Sequence, residues 1–357
     1  MYQYSVIQWL FIFYFYCFGG WCFESAYVSI KNKKLTNRGF MRGPFLPIYG
    51  SGATMMLVVS MPFQSMGLPW RVILTYLAGC IGATVLEYVT GVVMEALFKV
   101  RYWDYSNQKF NFQGHICLSS SLAWGLITIA MTEVIHGPVE RLVMGIPGQV
   151  LTAVTLILTA GIFADFALSF KAAIDLRNVL ARMKQAKEEM LTIQKRLDAI
   201  LASASESVGN YREGISKSMS DLKKGIEGRL ESIRNIVFTR PGEYLDSVKA
   251  ELVDLRARYL VNKEDHDRLS SLKDFFQRSL IRSNPRMTSV EYREFLEELK
   301  EGLAGKKDLI LTAQEKEEDL TEKEEKGPER KEEDLAEKAE EGPEREEEDP
   351  AGKSNKI

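Results

Sequence analysis

Residues 72–98 constrain this chain more than any other stretch: 27 residues whose only charges are Glu87 and Glu95. A run of that length matches the ~20 residues an α-helix needs to cross bilayer hydrocarbon. Both carboxylates must therefore be accommodated where an unpaired charge costs at least ~2.5–3.5 kcal/mol. Steps of four through the run give Thr75, Gly79, Ala83, Glu87, Gly91 and Glu95, so small residues and two acids share one helical ridge. Such a ridge lets a second helix approach closely and offers it polar contacts.

Five apolar runs are present, at about residues 6–30, 44–61, 72–98, 116–135 and 147–170, each near the length of a span. The expected fold is all-α: a polytopic helix bundle in the lipid bilayer over residues 1–170. No basic residue precedes the first run and no small-residue cleavage site follows it, so this segment is expected to stay in the membrane. Lys31, Lys33, Lys34, Arg38 and Arg42 follow the first run and Lys99, Arg101 and Lys109 the third, whereas the other two loops offer only Arg71 and Arg141. Lys and Arg collect on the cytoplasmic side, which places the N-terminus outside and the C-terminal half in the cytosol. The basic run Lys171, Arg177, Arg182, Lys184 and Lys187 then lies beside anionic lipid heads.

In this orientation Glu24, Glu95 and Asp165 fall in the cytoplasmic thirds of their helices and Glu87 lies deeper. Each acid follows a small residue by four positions: Gly20, Ala83, Gly91 and Gly161. Intramembrane carboxylates mark ion, proton or substrate paths; the alternatives are an inter-helix hydrogen bond for Glu87 and snorkelling to water for the other three. Arg38, Arg42, Arg101 and His115 are candidate counter-ions. Tyr102, Trp103 and Tyr105 read as interfacial belt aromatics. The loops after the first and third runs echo each other: each has a glycine-centred loop, then an aromatic–glycine pair in the next helix, Tyr49-Gly50 and Trp124-Gly125. That pattern suggests a duplicated two-helix unit.

The segments GWCFES (20–25), NRGFMRGPFLPIYG (37–50), LEYVTGVVMEALF (86–98), RYWDYS (101–106) and NFQGHICLSSSLAWG (111–125) together resemble the bacterial ABC-transporter permease family described as putative ABC-transporter type IV, over about residues 10–165. The resemblance implies a five- to six-helix protein of the bacterial cytoplasmic membrane with a role in transport. It does not extend beyond residue 171.

Charge separates the remainder. Residues 1–170 hold 10 Lys/Arg and 7 Asp/Glu, residues 171–300 hold 25 and 21, and residues 301–357 hold 11 and 21. Met183, Ala186, Met190, Ile193, Leu197, Ile200 and Ala204 follow the spacing of a coiled-coil seam. Beyond them Val208, Met219 and Leu230 repeat at 11 residues, as do Tyr211, Leu222 and Ile233, and Ile215, Ile226 and Val237. A stripe this narrow needs a cover, and a second copy is the expected one, making residues 171–240 a self-associating cytosolic helix and the protein a homo-oligomer. Arg240-Pro241-Gly242 is expected to end it. Residues 241–304 read as a small helical module. Residues 305–357, with the repeat GPERKEEDLAEKAEE then GPEREEED, read as a disordered acidic tail.

The four cysteines form no CxxC pair and no histidine stands at metal spacing, so neither metal nor cofactor is expected. Ser119-Ser120-Ser121 with His115 is too little for an enzyme, and nothing points to nucleic acid. The nearest approach to a phosphate-binding loop, Gly209 to Gly214, lacks its lysine. A permease of this sequence therefore needs a separate P-loop ATPase subunit. The alternative is a membrane-anchored structural or sensing protein.

Overall fold

The computed structural model describes residues 4–204, 218–239, 244–272 and 274–305. Helix α1 (Val6–Asn32) opens on a capping box in which the Ser5 hydroxyl accepts from the Gln8 N–H and the Gln8 side chain accepts from the Ser5 N–H, satisfying donors the first turn leaves free. Helix α2 (Pro47–Ser60) starts with proline at its first position, where a missing N–H costs nothing. Helix α3 (Trp70–Phe98) ends at Lys99 in the left-handed region (φ 59°). A hairpin of two short strands, β1 (Asn111–Phe112) and β2 (Ile116–Cys117), leads into α4 (Leu118–Ala130). A wider π-turn at Met131–Ile135 joins α4 to α5 (His136–Gly145). The long helix α6 (Gly148–Ala204) has 57 residues.

Among the described residues four helical stretches are long and apolar enough to cross a membrane: Val6–Lys31, Trp70–Phe98, Leu118–Gly145 and Gly148–Ala202. The run expected at about residues 44–61 yields a shorter helix, α2, which is not among these four. Its 14 residues reach ~21 Å at 1.5 Å per residue, short of a bilayer's hydrocarbon. It still runs the return course, because α1 and α3 end on the same side: the Arg38 Nη2 donates to the Tyr102 carbonyl at 3.4 Å, and the rings of Phe40 and Phe98 stand 5.5 Å apart. This is the basic end of the bundle, where Lys33, Lys34, Arg38 and Arg42 follow α1 and Lys99 and Arg101 follow α3. The opposite end carries the Arg71–Glu133 ion pair at 2.8 Å and a core of Ile12, Tyr16, Leu57, Val139, Val143 and Leu151.

Helix α3 shows why these elements assemble in lipid. The ridge Thr75, Gly79, Ala83, Glu87 and Gly91 is its buried face. The row Ile73, Leu77, Ile81, Val85, Val89, Val93 and Leu97 is 38–66% exposed, an apolar stripe that only hydrocarbon covers without cost. The inner face recognises helices by small residues and the outer face meets solvent lipid.

Beyond the apolar part, α6 continues unbroken, and α7 (Met219–Thr239) and α8 (Tyr244–Ser270) pack on it. Gly225 lies beside Gln194 and Arg229 pairs with Asp198, so α7 runs parallel to α6. Glu189–Arg258 and Arg196–Glu251 pairs set α8 antiparallel. Leu180, Met183, Met190, Ile193 and Leu197 are completely enclosed. The expected cover for this seam was a second copy; the cover found is the chain's own α7 and α8, so these contacts give homo-oligomerisation through 171–240 no support. Because α7 lies alongside α6, the stretch 171–240 is not the single rod expected. Val208, Tyr211, Ile215, the Pro241 stop and the acidic repeat lie outside the described residues.

After α8 the chain returns to the basic end as α9 (Phe275–Ser283), an extended segment, and a last helix from Arg293. This helix and the turn before it lie along α6 through the Lys187–Glu294 (2.5 Å) and Lys184–Glu291 (3.4 Å) pairs, respectively.

Candidate functional site

Four carboxylates of the membrane part, Glu24, Glu87, Glu95 and Asp165, gather toward the basic end, each on a different set of partners. Glu24 accepts from the Tyr49 hydroxyl at 2.7 Å and from the Arg38 Nε at 3.4 Å. Glu95 meets the Arg101 Nε at 2.9 Å and the His115 Nε2 at 3.1 Å. Asp165 accepts from the Gly43 N–H at 2.8 Å. Glu87, only 6% exposed, accepts from the Tyr105 hydroxyl (2.9 Å), the Trp124 Nε1 (3.1 Å) and the Ser120 hydroxyl (3.3 Å). Among the described residues no cation pairs with it.

These sets repeat. Cys17, Glu24 and Arg38 stand 63 residues before Cys80, Glu87 and Arg101, and Tyr49-Gly50 stands 75 before Trp124-Gly125. A Cβ on Gly50 would collide with Cys17, and one on Gly125 with Cys80. Tyr49 hydrogen-bonds Glu24 as Trp124 hydrogen-bonds Glu87. The α1–α2 pair and the α3–α4 pair are therefore the same local design, in which an aromatic beside a contact glycine donates to an acid on the preceding helix. The halves part company at the arginine. Arg38 neutralises Glu24, whereas Arg101 is drawn to Glu95, which has no counterpart in the first half because Asn32 stands there. Glu87 is left on neutral donors, and the Tyr105 phenol fills the place of the missing guanidinium.

Glycine spacing has a local cause at most of the acids. A side chain on Gly20 would run into the Tyr49 ring, one on Gly79 into Thr128, and one on Gly91 would come within 2.9 Å of the His115 Nδ1. Ala83 is buried on the same ridge. Gly161 departs from the expected packing role: open space surrounds the position its Cβ would take. Arg42 departs from its expected role as a counter-ion, since its guanidinium lies over the rings of Phe275 and Phe276 at 4.9 and 4.4 Å. Nor are the loop aromatics a belt. Tyr102 is buried, Trp103 donates to the His115 carbonyl at 3.0 Å, and Tyr105 serves Glu87.

Burial holds His115 below its usual value, Arg101 adding to the effect against the opposing pull of Glu95; the ring is thus a neutral donor to Glu95 near pH 7. Asp104 is held below the usual carboxylate range: burial opposes this, but hydrogen bonds from Ser106 and the charge of Arg101 outweigh it.

Sequence reasoning missed the segment 284–289, which clasps both loops. The Arg38 Nη1 donates to the Asn284 Oδ1 (2.8 Å) and the Ser283 carbonyl (3.2 Å), and the Asn284 amide donates to the Gly39 carbonyl (2.8 Å). On the other half Arg101 and Thr288 exchange backbone hydrogen bonds at 2.7 and 2.9 Å, and the Ser289 hydroxyl donates to the Lys99 carbonyl at 2.6 Å. The clasp thus holds the equivalent arginines of both halves. No periodicity could reveal it, because a two-residue bridge between segments 187 positions apart leaves no local pattern.

No curated protein and no solved structure matches the chain. Residues 11–170, which hold all four carboxylates and their loop partners, match the model of the family described as "Putative ABC-transporter type IV", the family that the loop and helix motifs resemble.

Proposed function

We propose that the chain is the membrane-embedded permease subunit of an ABC-type transporter in the bacterial cytoplasmic membrane. Its N-terminus lies outside, its basic end faces the cytosol, and a P-loop ATPase is supplied by another chain. The observation that carries the reading is Glu87, buried on three neutral donors while its counterpart Glu24 is neutralised by Arg38. A carboxylate held this way changes charge without first breaking an ion pair. The Tyr105 and Ser120 hydroxyls can turn from donor to acceptor when it takes a proton, because a hydroxyl carries both capacities. Glu95 and Glu24, tied to arginines, hold the loops in place and leave Glu87 as the responsive group. Affinity purification from native membranes tests the subunit role: recovery of a P-loop ATPase is the expected result.

The second reading is a membrane-anchored structural or sensing protein. The three-helix assembly of α6, α7 and α8, joined to both loops by the 284–289 clasp, favours it by linking a cytosolic receiver to the bundle. Purification that returns only envelope proteins, never an ATPase, would select it.

A further inference from the structure

Arg42 has a guanidinium with five donors, yet among the described residues no carboxylate or carbonyl accepts from it; two phenylalanine rings hold it instead. Beneath it lies a hollow of about 10 Å³ lined by Arg42, Ser169, Ser279 and Ser283, room for a single oxygen-sized group. The Ser169 hydroxyl is 2% exposed and has no hydrogen-bond partner, which is costly for a buried polar group unless something fills its need.

We propose that this hollow holds a phosphate oxygen of an anionic phospholipid headgroup, gripped by the Arg42 fork and the hydroxyls of Ser169 and Ser279. The chemistry is that of a phosphate receptor, in which a planar guanidinium pre-oriented by aromatic rings gives paired donors at little entropic cost. The depth selects lipid over soluble phosphate. Helix α9 packs on α6 at Ser169 and Ala172, the turn at which the apolar run gives way to Lys171. Arg42 adjoins Gly43, whose N–H reaches Asp165 one turn further into the span. Asp165 spends one oxygen on that N–H. Phe275, 57% exposed beside the guanidinium, offers its ring at the boundary where acyl chains begin, and Arg282 follows on the exposed side of α9.

The test is native mass spectrometry on the full-length protein released from vesicles of phosphatidylcholine containing phosphatidylglycerol. The wild type should retain phosphatidylglycerol selectively. Arg42→Ala should weaken that retention at least tenfold, and Arg42→Lys, which keeps the charge but loses the fork, should fall between. Ser279→Asp, which sets a like charge in the hollow, should abolish retention while leaving Arg42 in place, and circular dichroism verifies that each variant is folded. Folded Arg42→Ala or Ser279→Asp protein with unchanged retention overturns the proposal. So does displacement of the lipid by equimolar inorganic phosphate, which would make this a site for soluble anions.

Discussion

Glu87 and Glu24 occupy equivalent positions in the two halves but face a phenol and a guanidinium respectively, and that difference is measurable. Glu87→Gln keeps shape and most hydrogen bonding, so it should assemble normally, remove a pH-responsive carboxyl band from infrared difference spectra and, as the proposed permease role requires, reduce transport-dependent growth at least tenfold. Glu24→Gln should leave the band intact. Gly20→Ala should destabilise by about 1–3 kcal/mol, because a methyl there overpacks against Tyr49, whereas Gly161→Ala should be neutral or stabilise by up to ~1 kcal/mol. Thermal melts of the two variants in one lipid distinguish them. His115 supplies a pH dependence. Its folded value lies below the ordinary 6.5, burial being the main cause, so the unfolded chain takes up the proton first. Its contribution is fully present above pH 6.5 and is lost as pH falls through the depressed folded value. Melting temperature should drop across that acidic window, with a smaller drop in His115→Gln. The ridge of α3 was legible because its four-residue steps are local. The diversion of Arg101 to Glu95 was not, since loop and helix meet only in the folded bundle.

At the scale of elements, the seam on α6 was legible as an apolar stripe but not as to what covers it: periodicity reports that a face is buried and is silent about the partner. Met190→Lys places an ammonium in a fully enclosed position and should open α7 and α8 from α6, at a cost of several kcal/mol. Amide exchange in α7 and α8 of the full-length protein would then accelerate together. Asn284→Ala should instead loosen the clasp, raising exchange at residues 38–41 and 99–102 while α7 and α8 keep their protection. Equal acceleration everywhere would mean that the clasp and the three-helix assembly form one cooperative unit. The length of α2 was the other element misjudged. Its run at 44–61 counts Pro44, Phe45 and Leu46, which precede the helix, and Met61, which opens a separate turn.

For the whole molecule, helix α6 ties the two halves of the chain into one mechanical part. From Asp165, at the edge of the loops, to Ala204 it extends ~58 Å at 1.5 Å per residue without a break. A stiff rod pivoting at the bundle is a lever: a tilt of about 5° at Asp165 would carry its far end sideways by ~5 Å on that length. Because α9, which leads into the clasp, packs on this rod near its pivot at Ser169 and Ala172, such a swing would draw on Arg38 and Arg101 through the clasp, turning a broad, weak pull at the far end into a short, forceful displacement beside the carboxylates.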